Sequence, residues 1–120
     1  MENRAVEMVC QWCKTFGVRC HIVHLSAASA LEMIRDAKNV GAPITAETCY
    51  HYLVLSAEEV PQSATEFKCC PPIREKINQD QLWRGLKDGI LDMIVSDHSP
   101  CVEQLKESGN FLTAWGGISS

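Results

Sequence analysis

The residues with the clearest capacity for chemistry are His24 and Asp97. His24 stands near the end of the β-branched run Val18-Arg-Cys-His-Ile-Val-His24-Leu25, and Asp97 follows a second such run that ends Ile94-Val95-Ser96. An imidazole and a carboxylate that top two apolar strand columns can share a hard or borderline divalent metal such as zinc. A carboxylate beside a metal can also take the proton of an attacking water. The competing reading is structural: a strand-end His or Asp often hydrogen-bonds a loop or caps a helix, and Asp97-His98-Ser99-Pro100 has the composition of a turn. His51, between Tyr50 and Tyr52, suits either a donor standing behind metal ligands or a loop-packing residue. His21, three residues before His24, reads as a packed or outward histidine on the other side of the strand. Glu47, inside an apolar run, reads as a buried, paired carboxylate.

Seven cysteines are spread over the whole length, an odd number that cannot all pair within one chain, so reduced thiols are expected. Cys10 and Cys13 form a C-x-x-C within a helical pattern, which predicts a buried thiol face. The alternative, an independent zinc module, lacks a second pair at ribbon spacing, since Cys69 and Cys70 are adjacent.

The elements that must position these groups alternate between two periods. Residues 4–16 carry Val6, Val9, Cys10, Cys13 and Phe16 as one helical stripe, and Gly17 supplies a left-handed stop. A strand is expected over 18–25, ending at Ser26. A second helix follows, with Ser29 and Glu32 as a capping box, Leu31, Ile34 and Ala37 as its stripe and Gly41 at its end. Pro43 opens a second strand over 44–49. Residues 50–77 form a long, Pro-containing loop of the kind that usually carries function. Asn78, with Gln81 three residues on, is expected to cap a third helix with Leu82, Trp83 and Leu86 on its apolar face and Gly89 as its stop. Residues 90–96 read as a third buried strand. Residues 100–120 read as a closing loop, with a helical turn over 102–107 and a Trp115-Gly116-Gly117 turn.

This succession is α/β with parallel strands, because each helix carries the chain back to the starting side. Its 120 residues suffice for one small domain. With 46% apolar and 22% charged residues it reads as an ordinary globular protein. Eleven basic against fifteen acidic residues give a net charge of −4 with no basic block, which argues against nucleic acid as a partner. No apolar run approaches the roughly 20 residues needed to cross a bilayer, and Met1-Glu2-Asn3-Arg4 begins no secretory signal. No membrane partner and an intracellular location are therefore expected. Three parallel strands alone would leave two open edges and one poorly covered face. The pattern thus implies association with another chain or a part of a larger domain, such as an eight-stranded barrel, whose reactive groups gather at the carboxyl ends of the strands.

Five segments, His21-Ile-Val-His24-Leu-Ser26, Glu47-Thr-Cys-Tyr-His51-Tyr-Leu53, Lys68-Cys-Cys-Pro-Pro-Ile-Arg74, Val95-Ser-Asp97-His98-Ser-Pro-Cys101 and Ala114-Trp-Gly-Gly-Ile118, together resemble the allantoinases, cyclic amidohydrolases of the metal-dependent amidohydrolase superfamily. The resemblance runs over nearly the whole chain, in the family's order. It favours allantoinases over the related dihydropyrimidinases and dihydroorotases, which remain the nearest alternatives, together with non-catalytic scaffold members of the superfamily.

The resemblance implies a partial (β/α)8 TIM-type barrel covering about strands six to eight, with residues 1–120 as the C-terminal part of the barrel domain. His24 would be the metal-binding histidine of strand six. Asp97 would be the strand-eight aspartate that touches a metal and handles the proton. Cys70 falls where hydantoinases place a serine whose backbone holds the substrate ring, Gly116 and Gly117 resemble a loop on the far side of that ring, and His51 is site-proximal. The reaction implied is opening of the hydantoin ring of allantoin to allantoate, a step of purine catabolism, with two divalent ions: zinc, or cobalt, manganese or nickel. A homotetramer in the cytoplasm, peroxisome or mitochondrion is the family's expectation, although Ile118-Ser119-Ser120 is not a peroxisomal tripeptide. The H-x-H pair, the carboxylated lysine and the third histidine of a dinuclear site are missing from these residues. The chain alone is therefore expected to be inactive and to hold metal weakly.

Overall fold

The computed structural model describes residues 1–107 and 110–120. Three parallel strands, β1 (Cys20–Ile22), β2 (Ile44–Cys49) and β3 (Met93–Val95), form one sheet in the order β1-β2-β3, with Cys20 opposite Ile44 and Glu47 opposite Met93. The connections run through α1 (Glu2–Phe16) before β1, α2 (Leu31–Asn39) between β1 and β2, and α3 (Tyr50–Val54) and α4 (Lys76–Lys87) between β2 and β3.

Helix α1 forms because Val6, Cys10 and Cys13 recur at helical spacing and are buried, and it ends at Gly17, at φ 62°, whose N–H bonds to the Cys13 carbonyl. Both thiols of the C-x-x-C are inside, and burial raises their pKa values. Cys13 donates to the Val18 carbonyl at 3.1 Å, and all seven cysteines are free. Phe16 departs from the expected stripe. It stands on the last turn in the row of Met8 and Trp12, four residues apart and turned away from the sheet, and is 70% exposed.

Helix α2 buries Leu31, Ile34 and Ala37 as expected, and α4 buries Leu82. Each Leu or Ile side chain fully buried in this way contributes roughly 1.5–3 kcal/mol, and the single methyl of Ala37 less. Neither expected cap is used as such. Ser29 lies in the 3-10 turn Ala28–Ala30 that leads into α2, and its hydroxyl pairs with the Asn3 side chain instead. Helix α4 starts earlier, at Lys76, whose amide is capped by the Glu58 carboxylate at 2.9 Å, so Asn78 is free to cross-link elsewhere. Trp83 is half-exposed and donates its ring N–H to the Leu53 carbonyl.

The outer strands are shorter than the sequence pattern predicts. Residues 90–92 form the turn that leaves α4 past Gly89, with Ile90 and Leu91 buried, while the Asp92 carboxylate is held by Lys38 at 2.8 Å and by the Ala46 amide at 2.8 Å. Registered pairing begins at Met93, which is 45% exposed, with the Asp92 amide adding one bond to the Ala46 carbonyl at 2.8 Å, so β3 is a short edge and not a buried strand. Pro43 lacks an N–H but its carbonyl accepts from Cys20 at 3.1 Å, extending the β1–β2 ladder by one bond. The expected loop of residues 50–77 contains α3 and a 3-10 turn (Thr65–Phe67). A 3-10 turn at Glu103–Leu105 sits where a helical turn was expected. The Trp115-Gly116-Gly117 segment carries no turn, which falls at 111–113 instead.

Candidate active site

Because the strands are parallel, their carboxyl ends open onto one rim. His24 and Asp97 occupy equivalent places there, each two residues beyond the last strand residue, Ile22 and Val95, and each in the left-handed region at φ 42° and 45°. Alternation along a strand therefore does not aim these side chains; a backbone reversal after the strand does. Non-glycine residues seldom adopt that conformation, and holding one there costs on the order of 1–3 kcal/mol.

His51 comes to the same rim by a different route. Strand β2 passes straight into α3, so the residue two beyond Cys49 lies in the first helical turn. It is 5% exposed, packs edge-on against Tyr52 at 4.2 Å, and its Nδ1 lies 3.3 Å from the Ser120 hydroxyl. Burial lowers its pKa; the Asp97 charge opposes that shift and the His24 ring adds to it, so all three groups share one electrostatic environment. His24 Nδ1 and His51 Nε2 are both buried and have no hydrogen-bond partner among the described residues. Behind them, burial and then the Asp97 carboxylate push the Cys49 thiol up to about 12, and burial lifts Cys69 to about 11. Tyr52 is raised by the same burial and donates its hydroxyl to the Pro71 carbonyl at 2.7 Å.

Cys70 meets Gly116, and Gly117 meets Ser99. A Cβ on Gly116 would stand 2.7 Å from Cys70 Sγ, and one on Gly117 would stand 2.4 Å from the Ser99 carbonyl oxygen. Gly117 donates to the Lys68 carbonyl at 3.1 Å, and Ser99 donates to the Ile118 carbonyl at 2.9 Å. Residues 116–120 thus form a strap between the Cys70 loop and the segment after Asp97. His98 is spent on that strap, its Nδ1 accepting from the Ser120 amide at 3.1 Å. A cavity of about 330 Å³ beside Gly117 is lined by Leu55, Phe67, Pro100, Lys106 and Ile118, and touches neither His24 nor Asp97.

Glu47 is paired as expected, its carboxylate 2.9 Å from His21 Nε2, but it is only partly buried, because it lies on the sheet face away from the helices. The sequence carries no signal for Ser99 or Ser120, whose partners lie 19 and 69 residues away. Among the described residues no cluster of three or more His, Cys, Asp or Glu side chains could hold a metal ion.

No protein-family model matches the chain. Over 122 residues it is 55% identical to the mitochondrial allantoinase of Aquarana catesbeiana, covering 100% of this chain and 25% of that protein. The allantoinase of Streptomyces avermitilis is 52% identical over 118 residues, 98% of this chain and 26% of the relative. The chain is a relative of the allantoinases. Among solved structures, a D-hydantoinase superposes with a TM-score of 0.88 at 32% identity, over 98% of this chain and 27% of that one. The chain spans about a quarter of the length of the curated relatives it matches. The allantoinases thus share more of its sequence than the hydantoinase does, while the hydantoinase backbone reproduces its α/β arrangement nearly throughout.

Proposed function

We propose that these residues form about strands six to eight of a (β/α)8 amidohydrolase barrel and supply part of a centre that opens the hydantoin ring of allantoin to allantoate. The observation that carries this reading is the pairing of His24 and Asp97 at equivalent left-handed positions past two parallel strands. Their donor chemistry suits a divalent metal, and the buried, unpartnered His24 Nδ1 is an atom that needs an acceptor, donor or cation. Two donors fall short of the three or four that hold zinc tightly, so the remaining ligands must come from outside these residues. When bound, a pair of divalent ions (zinc, or cobalt, manganese or nickel) lowers the pKa of water and polarises the amide carbonyl.

Within that centre His24 holds metal, and Asp97 takes the proton of the attacking water and delivers it to the ring nitrogen as the C–N bond breaks. Residue 70 presents backbone groups to the ring, so its thiol side chain is free to differ from serine. Gly116 and Gly117 let the strap lie against Cys70 and Ser99, closing the far side. His51, neutral because it is buried, stands behind the ligands.

The test is a graft in which these 120 residues replace the matching segment of the Streptomyces avermitilis allantoinase. The graft is expected to hydrolyse allantoin, with Asp97→Asn lowering kcat by at least ~10²-fold and His24→Ala losing bound metal. An Asp97→Asn graft as fast as its parent overturns the reading. The likeness to D-hydantoinase favours a second substrate, an unsubstituted hydantoin or dihydropyrimidine, and a graft that prefers dihydrouracil to allantoin would select it.

A further inference from the structure

The backbone just after His24 is fastened at every polar group from Leu25 to the Ala28 amide. Leu25 donates to the Glu47 carbonyl at 2.8 Å and accepts from the Thr48 hydroxyl at 2.7 Å. The amides of Ser26 and Ala27 both donate to Glu2 Oε1, at 2.7 and 2.9 Å. Asn78 donates to the Ser26 carbonyl at 2.9 Å and accepts from the Ala28 amide at 2.8 Å, while the Ala27 carbonyl accepts from Ala30 at 3.0 Å. Arg74 ties the cluster together. Its terminal nitrogen holds Glu2 Oε2 at 2.7 Å, and its Nε donates at 3.1 Å to the buried Ser26 hydroxyl, which donates to the Pro72 carbonyl at 2.6 Å.

A strained residue keeps its conformation only where its surroundings over-determine it. His24 is such a residue, at φ 42°, and the segment beginning at its immediate neighbour is the one bound by Glu2, Arg74 and Asn78. We propose that Arg74 is a positioning residue: acting through Glu2 and Ser26, it locks the turn that presents His24 and thereby sets how firmly the metal is held. The proposal rests on the reading of His24 as a metal ligand. The geometry also fixes the division of labour, because the two amides need an acceptor at residue 2, and the guanidinium orients that acceptor.

The test uses Arg74→Met, which keeps the aliphatic stem, in this chain for amide hydrogen exchange and in the zinc-loaded graft for metal loss to a chelator. The expected result is at least about tenfold faster exchange at Ser26 and Ala27, and about 10- to 100-fold faster zinc loss, with kcat per zinc-loaded site unchanged. If Arg74→Met lowers Tm alone, leaving exchange of residues 25–28 and zinc retention at their parent values, the residue is merely structural and the proposal fails. Should that variant not fold, Glu2→Gln, which keeps an acceptor for the amides but loses the ion pair, is expected to show the same two effects more weakly, and no effect overturns the proposal. Exchanging the pair (Glu2→Arg with Arg74→Glu) is expected not to restore zinc retention, since arginine accepts nothing from the amides; full restoration overturns it. His24→Ala with unchanged zinc retention would instead sink the assignment of His24, whatever Arg74 does.

Discussion

Two imidazole nitrogens, His24 Nδ1 and His51 Nε2, lie buried with no partner in a molecule whose other buried polar side chains are bonded among the described residues. Such atoms are rare in folded chains. For His51 the consequence is thermodynamic. Its folded pKa lies below the usual value near 6.5 because burial disfavours the imidazolium, so in a falling pH the unfolded chain takes up a proton before the folded one does. The stability due to neutral His51 is therefore present above about pH 6.5 and is lost as the pH falls toward the folded value. Urea denaturation at pH 7.5, 6.5 and 5.5 is expected to show this decline, and His51→Asn is expected to flatten it. An identical decline in the variant would assign the pH dependence to other groups.

At the scale of elements, the strap of residues 116–120 is what joins the Cys70 loop to the segment after Asp97. Both glycines are required there by close approach, but against different neighbours. Gly117 faces the Ser99 backbone oxygen at 2.4 Å from a would-be Cβ, whereas Gly116 faces the Cys70 side chain at 2.7 Å. Each Gly→Ala change is expected to destabilise the chain by about 1–3 kcal/mol in urea denaturation. Cys70→Ala is expected to rescue Gly116→Ala, because it removes the obstructing sulfur, and not Gly117→Ala, whose obstruction is main chain. Equal rescue of both would mean that the strap does not lie against Ser99. Helix–sheet packing tells the same story of uneven cover. Cys20, Ile22, Ile44, Ala46 and Thr48 face the helices, while His21, Thr45, Glu47 and Met93 look outward on the opposite face.

For the whole molecule that bare face is the main fact. Parallel sheets are nearly always covered on both sides, and this one has one side covered by helices and edges at β1 and β3. The Cα radius of gyration is 15.3 Å, with extents of 46 × 26 × 21 Å, against about 14 Å for a compact chain of this length. The shape is a slab. A slab cannot surround a substrate, and two donors do not make a zinc site. The purified chain, incubated with zinc and allantoin, is expected to give no turnover; measurable allantoate would show that these residues hold a complete centre.

Much of the architecture is a local property and is legible in the residues. The spacing of Val6, Cys10 and Cys13, the glycine stops at 17, 41 and 89, and the order of helices and strands follow from side-chain periodicity and left-handed φ values of 62°, 77° and 71°. His24 and Asp97 are likewise recognisable one segment at a time, as a His and an Asp after strand-like runs, whereas Cys70, Gly116 and Gly117 stand out only through the resemblance to the allantoinases. What only the tertiary structure decided is where polar side chains are spent. Ser29 and Asn78 read as caps but are drawn to Asn3 and to the Ser26 turn, the Asp92 carboxylate is spent on Lys38 and the Ala46 amide just before a third strand of three residues, and Phe16 is left uncovered. The reason is range. A periodic stripe is set by neighbours three or four residues away, whereas Glu2 and Arg74, 72 residues apart, acquire each other as partners only when the chain has closed around the turn that holds His24.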